Sequence, residues 1–227
     1  MEALDENDLT GNTLVIYTSD NGPWLIFGNH GGSAEPLREG KGTSWEGGVR
    51  VPAIMHWPGH IPSGAECAIP LMTIDLLPTI ARVTNSKLPD NTIDGMDVWD
   101  VLSGTPGAKN PHSAYFIYYR QNELQAMISG EWKLVFPHQY RSIINADTGR
   151  DGLPGTYKNY NVEEIELYHL TEDISESVNV ATDHPEMVQA LVVLADSCRS
   201  DIGDALLGIE GRNNRPPGIV ENQDKDY

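Results

Sequence analysis

Apolar and polar positions alternate along this chain in two different textures. Thr13 to Thr18, "TLVIYT", is a near-continuous apolar run, the pattern expected of a strand buried on both faces rather than one alternating toward solvent. Residues 1–12 before it read as the tail of an acidic helix, with Gly11-Asn12 as its stop. A helix leading into a buried strand predicts an α/β sheet. Residues 28–50 are glycine-rich and almost without periodicity, which predicts a long loop of the kind that tends to be functional or disordered. "VRVPAIMHWPG" returns to strand character and stops at Pro58-Gly59. "TIDLLPTIARVT" predicts a short helix capped by Thr73 or Asp75, with Pro78 in its first turn.

From about residue 112 the segments shorten. "SAYFIYYR", "LQAMIS", "EWKLVF" and "IELYHL" predict a small antiparallel sheet, with Ser129-Gly130 as a hairpin turn between two of them. "DHPEMVQALVVLADSCRS" predicts an amphipathic helix packed on that sheet. Asp183 is its candidate cap, Pro185 lies in its first turn, and Met187, Leu191, Leu194, Ala195 and Cys198 share one face. Residues 137–162 read as a second loop and residues 211–227 as a polar tail. The change of texture falls near "SGTPGAKNP", residues 103–111, so the expected division is 1–105, 106–210 and the tail.

The 227 residues suffice for one domain or one and a half. Fifteen Lys and Arg against 33 Asp and Glu give a net charge of −18, a field that repels phosphate backbones and anionic membrane surfaces, so no nucleic-acid partner is expected. No apolar stretch approaches the roughly 18 to 20 residues of a membrane span, and "MEALDENDLTGN" lacks a basic region followed by an apolar core. Cys67 and Cys198 have neither a CxxC partner nor a histidine at ligand spacing, which argues against zinc and leaves a disulfide open.

All the chemistry-bearing candidates but His138 lie in the first half. Asp20 and Asn21 follow "TLVIYT", at the strand end where α/β sheets place their ligand crevice. A carboxylate and an amide carbonyl are hard oxygen donors suited to calcium or magnesium, and Gly22 can take a positive φ that turns the chain away afterwards. Asp-Asn-Gly is equally favourable as a plain turn. Lys41, between Gly40 and Gly42 in "EGKGTSWEGG", is a compact charge on backbone that can approach an anion closely, or simply a solvated lysine. A nucleotide-binding loop is rejected because Glu35 and Gly42 stand where that motif needs Gly and Ser or Thr. His30, in "GNHGG", either donates to an anionic substrate or caps a turn, and His138, in "FPHQYR", either packs or reaches a site if its loop folds over one. His56 and His60 flank Trp57-Pro58-Gly59 and are read as local packing. There is no GxSxG element for serine-hydrolase chemistry.

Taken in order, "NTLVIYTSDNGP", "GSAEPLREGKGTSWEGGVRVPAIMHWPG" and "TIDLLPTIARVTNSKLPDNTIDGMDVWDVLSG" resemble the arylsulfatase family, within the alkaline-phosphatase-like superfamily. "ELYHLTEDISESVNVATDHPEMV" resembles that family's C-terminal subdomain. The resemblance implies that Asp20 and Asn21 are metal ligands, usually of calcium, and that Lys41 contacts the sulfate group. It also implies a mixed α/β core followed by a small antiparallel sheet packed on a helix, and a sulfated small molecule or glycan as substrate. A periplasmic, secreted or lysosomal setting is implied as well.

One departure from the family is large. Its nucleophile is a formylglycine made from Cys or Ser in a Cys/Ser-x-Pro-x-Arg motif upstream of the Asp-Asn-Gly segment, and neither Cys67 nor Cys198 fits that motif. No second Asp pair for the metal is present either. The expectation is therefore the C-terminal part of a sulfatase, inactive as an isolated chain, whose exposed sheet edge could pair with another copy. The alternatives are a phosphate-ester hydrolase of the same superfamily and a non-catalytic binding or assembly module.

Overall fold

The computed structural model describes residues 1–215. In chain order the elements are α1 (Glu2–Asp5), β1 (Val15–Thr18), α2 (Glu46–Val49), β2 (Ala53–His56), α3 (Leu76–Val83), α4 (Trp99–Leu102), β3 (Tyr115–Tyr119), β4 (Glu123–Ser129), β5 (Trp132–Val135), β6 (His138–Ser142), β7 (Lys158–Val162), β8 (Glu166–His169) and α5 (Pro185–Ile202). Short 3-10 turns occupy Thr10–Asn12, Leu25–His30 and Thr73–Asp75. Among the described residues no helix is long and apolar enough to cross a membrane. Contacts divide the chain into two units: residues 1–21 with 50–113, and residues 22–49 with the chain from Ala114 onward. The glycine-rich segment thus folds with the C-terminal half, across the division expected at residue 105.

In the first unit, among the described residues, β1 pairs only with β2, antiparallel, with Val15 opposite His56 and Thr18 opposite Ala53. This corrects the reading of "TLVIYT" as buried on both faces. With a single partner strand its side chains are half-buried at best, and Tyr17 and Ile54 are 65% and 63% exposed. The acidic N-terminal helix is a single turn, with Gly11-Asn12 closing a 3-10 turn before the strand. Asp75 precedes α3 as expected, but its side chain makes no capping hydrogen bond to the helix. Pro78 is its third residue, where the missing N–H would have had no helical partner. The fully buried Asp75 carboxylate accepts from the Met72 and Met96 N–H groups, each at 2.9 Å, and lies 2.7 Å from His112 Nε2. One side chain thereby ties together three separate stretches of this unit. His60 stacks on Trp57 with ring centroids 4.1 Å apart, in keeping with local packing.

The second unit is built on a four-stranded antiparallel sheet in the order β3-β4-β5-β8. Ser129 faces Trp132 across a tight turn whose Gly130 has φ +58°. Leu124, Met127, Leu134 and Leu167 from the sheet form one core cluster with Leu191 and Ala195 of α5, and Met187 and Leu194 pack against it. The helix cap is His184 rather than Asp183: Pro185 occupies the first helical position, which makes the residue before it the non-helical one.

Residues 137–162 are not simply a loop. β6 and β7 pair in register from His138 opposite Val162 to Ser142 opposite Lys158. His138, Tyr140 and Ser142 point inward with period two, a strand pattern that an apolar-only reading misses because two of the three are polar. Of the polar tail, residues 211–215 are described and the remainder lies outside the described residues.

Candidate active site

The "EGKGTSWEGG" segment is pinned from both sides. Lys41 N–H donates to the Pro23 carbonyl at 2.9 Å, Thr43 Oγ1 to the Gly40 carbonyl at 2.9 Å, and Gly47 N–H to the Arg38 carbonyl at 2.8 Å. Gly22 N–H donates to the Gly48 carbonyl at 3.0 Å. Gly22 does not adopt the positive φ expected of it. Its requirement for glycine is one of space, since a Cβ there would sit 1.8 Å from the Gly47 carbonyl oxygen. The chain after Asn21 is thus stacked directly on the Lys41 segment's C-terminal end.

Thr43 to Gly48 are all buried. Trp45 anchors a second core cluster, edge-on to Tyr140 and Tyr168 with centroids 5.5 and 5.9 Å away. The Arg38 guanidinium lies 3.4 Å over the Trp45 ring and donates to the Tyr168 hydroxyl, the Tyr140 hydroxyl and the Glu176 carbonyl. Next to it, Lys133 is fully buried, with its Nζ 2.9 Å from Glu46 Oε1 and 2.7 Å from Glu176 Oε1. Glu46 N–H donates to Glu176 Oε2 at 2.7 Å. Burial pushes the Glu176 carboxyl up, and Lys133 opposes that shift. Glu46, the acidic residue of the Lys-Gly-Thr-x-x-Glu-Gly-Gly segment, is therefore a structural anchor that binds this segment to β5. Sequence reasoning passed over both Glu46 and Lys133; the one available signal was a lysine amid the apolar residues of "EWKLVF".

On the other side of this anchor the segment opens into a small cleft. Leu25, Glu39, Gly40, Lys41, Thr43, Arg141, Ile143 and Tyr157 line it. Lys41 Nζ sits 4.6 Å over the Trp24 ring, so an apolar face shields one side of the ammonium. Glu39 is half-buried, which raises its carboxyl, and it accepts from the Ser142 hydroxyl at 2.5 Å. The rim is closed by the strand connection after β6. Gly149 and Gly155 N–H groups both donate to the Ile26 carbonyl, and Asp151 N–H donates to Asn29 Oδ1.

The other sequence candidates are placed as follows. His30 is exposed at the end of the Leu25–His30 turn. His138 is only 5% exposed, with Nδ1 2.7 Å from the Phe136 carbonyl and Nε2 3.4 Å from Ser44 Oγ, and burial lowers its pKa. That geometry makes His138 a support beneath the Lys41 segment. In the first unit, Asp20 is exposed and Asn21 half-buried at the end of β1, where Ser19 Oγ donates to the Asn21 backbone carbonyl at 2.9 Å. An unengaged carboxylate beside an amide suits a hard cation. Two donors fall short of the roughly 6 to 8 that calcium takes, and no group of three or more His, Cys, Asp or Glu side chains able to hold a metal occurs among the described residues. Cys67 and Cys198 form no disulfide.

Residues 1–86 match the family model described as "Sulfatase", and residues 110–211 match "C-terminal region of aryl-sulfatase". Arylsulfatase A of Bos taurus is 37% identical over 201 residues, covering 84% of this chain and 38% of that protein. Among solved structures, the PsFucS1 sulfatase from Pseudoalteromonas sp. superposes with a TM-score of 0.72 at 25% identity, over 87% of this chain and 38% of its own. Ps i-CgsB in complex with k-i-k-neocarrahexaose gives a TM-score of 0.67 at 29% identity, over 87% and 38% of the two chains. The chain spans about two fifths of the length of the curated relatives it matches.

Proposed function

Because the chain belongs to the sulfatase family, we propose that it carries one part of the active site of a sulfuric ester hydrolase. In this reading Lys41 holds the sulfate group, and Asp20 and Asn21 are two ligands of a divalent cation, calcium or alternatively magnesium. The observation that carries the reading is the Lys41 ammonium at a cleft, on a segment fixed beneath by Trp45, Glu46 and Lys133. Fixed charge of this kind contributes most to catalysis, because it needs no reorganisation as charge develops on the departing oxygen. Lys41 offers three donors to sulfate oxygens, while the Trp24 ring keeps water from one side of the ammonium and strengthens each contact.

A cation held by Asp20 and Asn21 supplies neutralisation of sulfate oxygens when bound. The nucleophile of the family, a formylglycine, requires a Cys/Ser-x-Pro-x-Arg segment, which these 227 residues do not contain. We therefore assign no hydrolytic step to this chain alone. The substrate is proposed to be a sulfated glycan or a sulfated small molecule, the former supported by the oligosaccharide complex of a structural relative.

Calorimetric titration with calcium tests the metal half of the proposal. Weak binding is expected, far above the roughly micromolar range of sensor sites, and it is expected to vanish when Asp20 and Asn21 are both changed to Ala. Submicromolar affinity, or heat retained in the double variant, refutes the assignment. Measurable hydrolysis of an aryl sulfate by the purified chain refutes the division of labour.

A further inference from the structure

Arg141 has no role in the family assignment, yet it lies against the Lys41 segment. It projects from β6, and its guanidinium covers Gly42: a Cβ at residue 42 would lie 2.1 Å from Arg141 Nη2 and 2.7 Å from Nε. Gly42 has φ +89°, so both its backbone conformation and the space it leaves depend on glycine. On its other face the guanidinium rests 4.5 Å from the Tyr157 ring. Arg141 Nε is buried without a hydrogen-bond acceptor, and the Arg141 guanidinium makes no ion pair among the described residues.

Two other arginines of the second unit are satisfied differently. Arg199 pairs with Asp196 and Asp204, and Arg38 donates to two hydroxyls and a carbonyl. The one carboxylate lining the Arg141 cleft, Glu39, already accepts from Ser142, and its burial favours the neutral form. Two cations, Lys41 and Arg141, therefore line one small cleft in a chain whose net charge is −18. Planar donors without acceptors, clamped between an aromatic ring and a glycine, suit the bidentate recognition of an oxyanion.

We propose that Arg141 is a second anion-holding residue of this cleft, binding the sulfate group together with Lys41. The proposal rests on the reading of Lys41 as a sulfate contact. It makes the connection after β6 part of the substrate site, with Tyr157 fixing the guanidinium plane and Gly42 admitting it.

Titration of the 227-residue chain with sodium sulfate at constant ionic strength, followed by tryptophan fluorescence through Trp24, tests this. The wild type is compared with Lys41→Met, Arg141→Met and Arg141→Lys, each checked for folding by circular dichroism and melting. Saturable binding is expected for the wild type. A loss of roughly tenfold or more is expected for Arg141→Met, as for removal of a charge-assisted hydrogen bond, with partial rescue by Arg141→Lys. Binding weakened by Lys41→Met but unchanged in folded Arg141→Met overturns the role of Arg141 and keeps that of Lys41. Binding unchanged in both, or absent from the wild type, overturns both. If Arg141→Met does not fold, Gly42→Ala displaces the guanidinium instead, and unchanged sulfate affinity in that variant overturns the proposal.

Discussion

Lys133→Met isolates the ion cluster that holds the Lys41 segment onto the sheet. The side chain it replaces has no exposure and neutralises Glu46 and Glu176 at 2.9 and 2.7 Å, both carboxylates being buried. Methionine matches the volume and removes the charge, leaving two like charges in a dry site. Breaking a buried pair by removing one partner costs about 3 to 5 kcal/mol, a large share of the roughly 5 to 15 kcal/mol by which a folded domain is stable. At roughly 2 to 4 °C per kcal/mol for a chain of this size, the melting temperature should fall by about 6 to 20 °C.

The sign of the pH dependence follows from the direction of the Glu176 shift. Its carboxyl is raised by burial in the native protein, and removing Lys133 raises it further. A carboxyl with a raised folded-state pKa favours folding below its unfolded pKa, and that contribution is lost as pH rises through the folded value. The variant's deficit should therefore be largest near neutrality and shrink as pH falls toward the ordinary carboxylate range. Guanidinium unfolding followed by Trp45 fluorescence at several pH values measures both quantities. A deficit below about 1 kcal/mol at neutral pH, or one that grows on acidification, refutes the cluster as an anchor. Adding Glu46→Gln and Glu176→Gln to Lys133→Met should recover part of the loss, since the stranded charges are then gone.

Gly22→Ala drives a methyl into the Gly47 carbonyl 1.8 Å away, where only backbone can yield; a loss of about 1 to 3 kcal/mol, the cost of overpacking, should appear in thermal unfolding. Leu124→Ala empties a fully buried position between the sheet and α5, and urea unfolding should register a loss of about 2 to 5 kcal/mol.

The antiparallel sheet, its hairpin at Gly130 and the packing face of α5 were legible because they are written in apolar spacing. Leu124 and Met127 face Leu191 and Ala195, and each is apolar for a single reason. The parts that were not legible share a different cause. β6 hides a histidine, a tyrosine and a serine, and each is acceptable inside only because a partner waits there: the Phe136 carbonyl for His138, the Arg38 guanidinium for Tyr140, Glu39 for Ser142. Glu46 and Lys133 are 87 positions apart, and each alone would be placed on the surface; together they neutralise one another and are buried. Such pairs cannot be read from periodicity, because burial of a polar group is a property of the pair rather than of either residue.

β1 errs in the opposite direction. "TLVIYT" carries the apolar content of a strand covered on both faces, and the cover is not supplied by β2 alone, which leaves Tyr17 and Ile54 in solvent. Asp20 and Asn21, the proposed cation ligands, follow this strand two and three residues after its last position, Thr18. In the second unit the position is reversed. The Lys41 segment is anchored through Trp45, Arg38, Glu46 and Lys133, all residues of the second unit, so the proposed anion site there and the proposed calcium ligands of the first unit are expected to respond independently to perturbation while no cation is bound. In calcium-free buffer, where no cation couples the two proposed sites, Asp20→Ala is accordingly expected to leave sulfate affinity in the fluorescence titration unchanged within about twofold, the scatter usual for sites that share no partners.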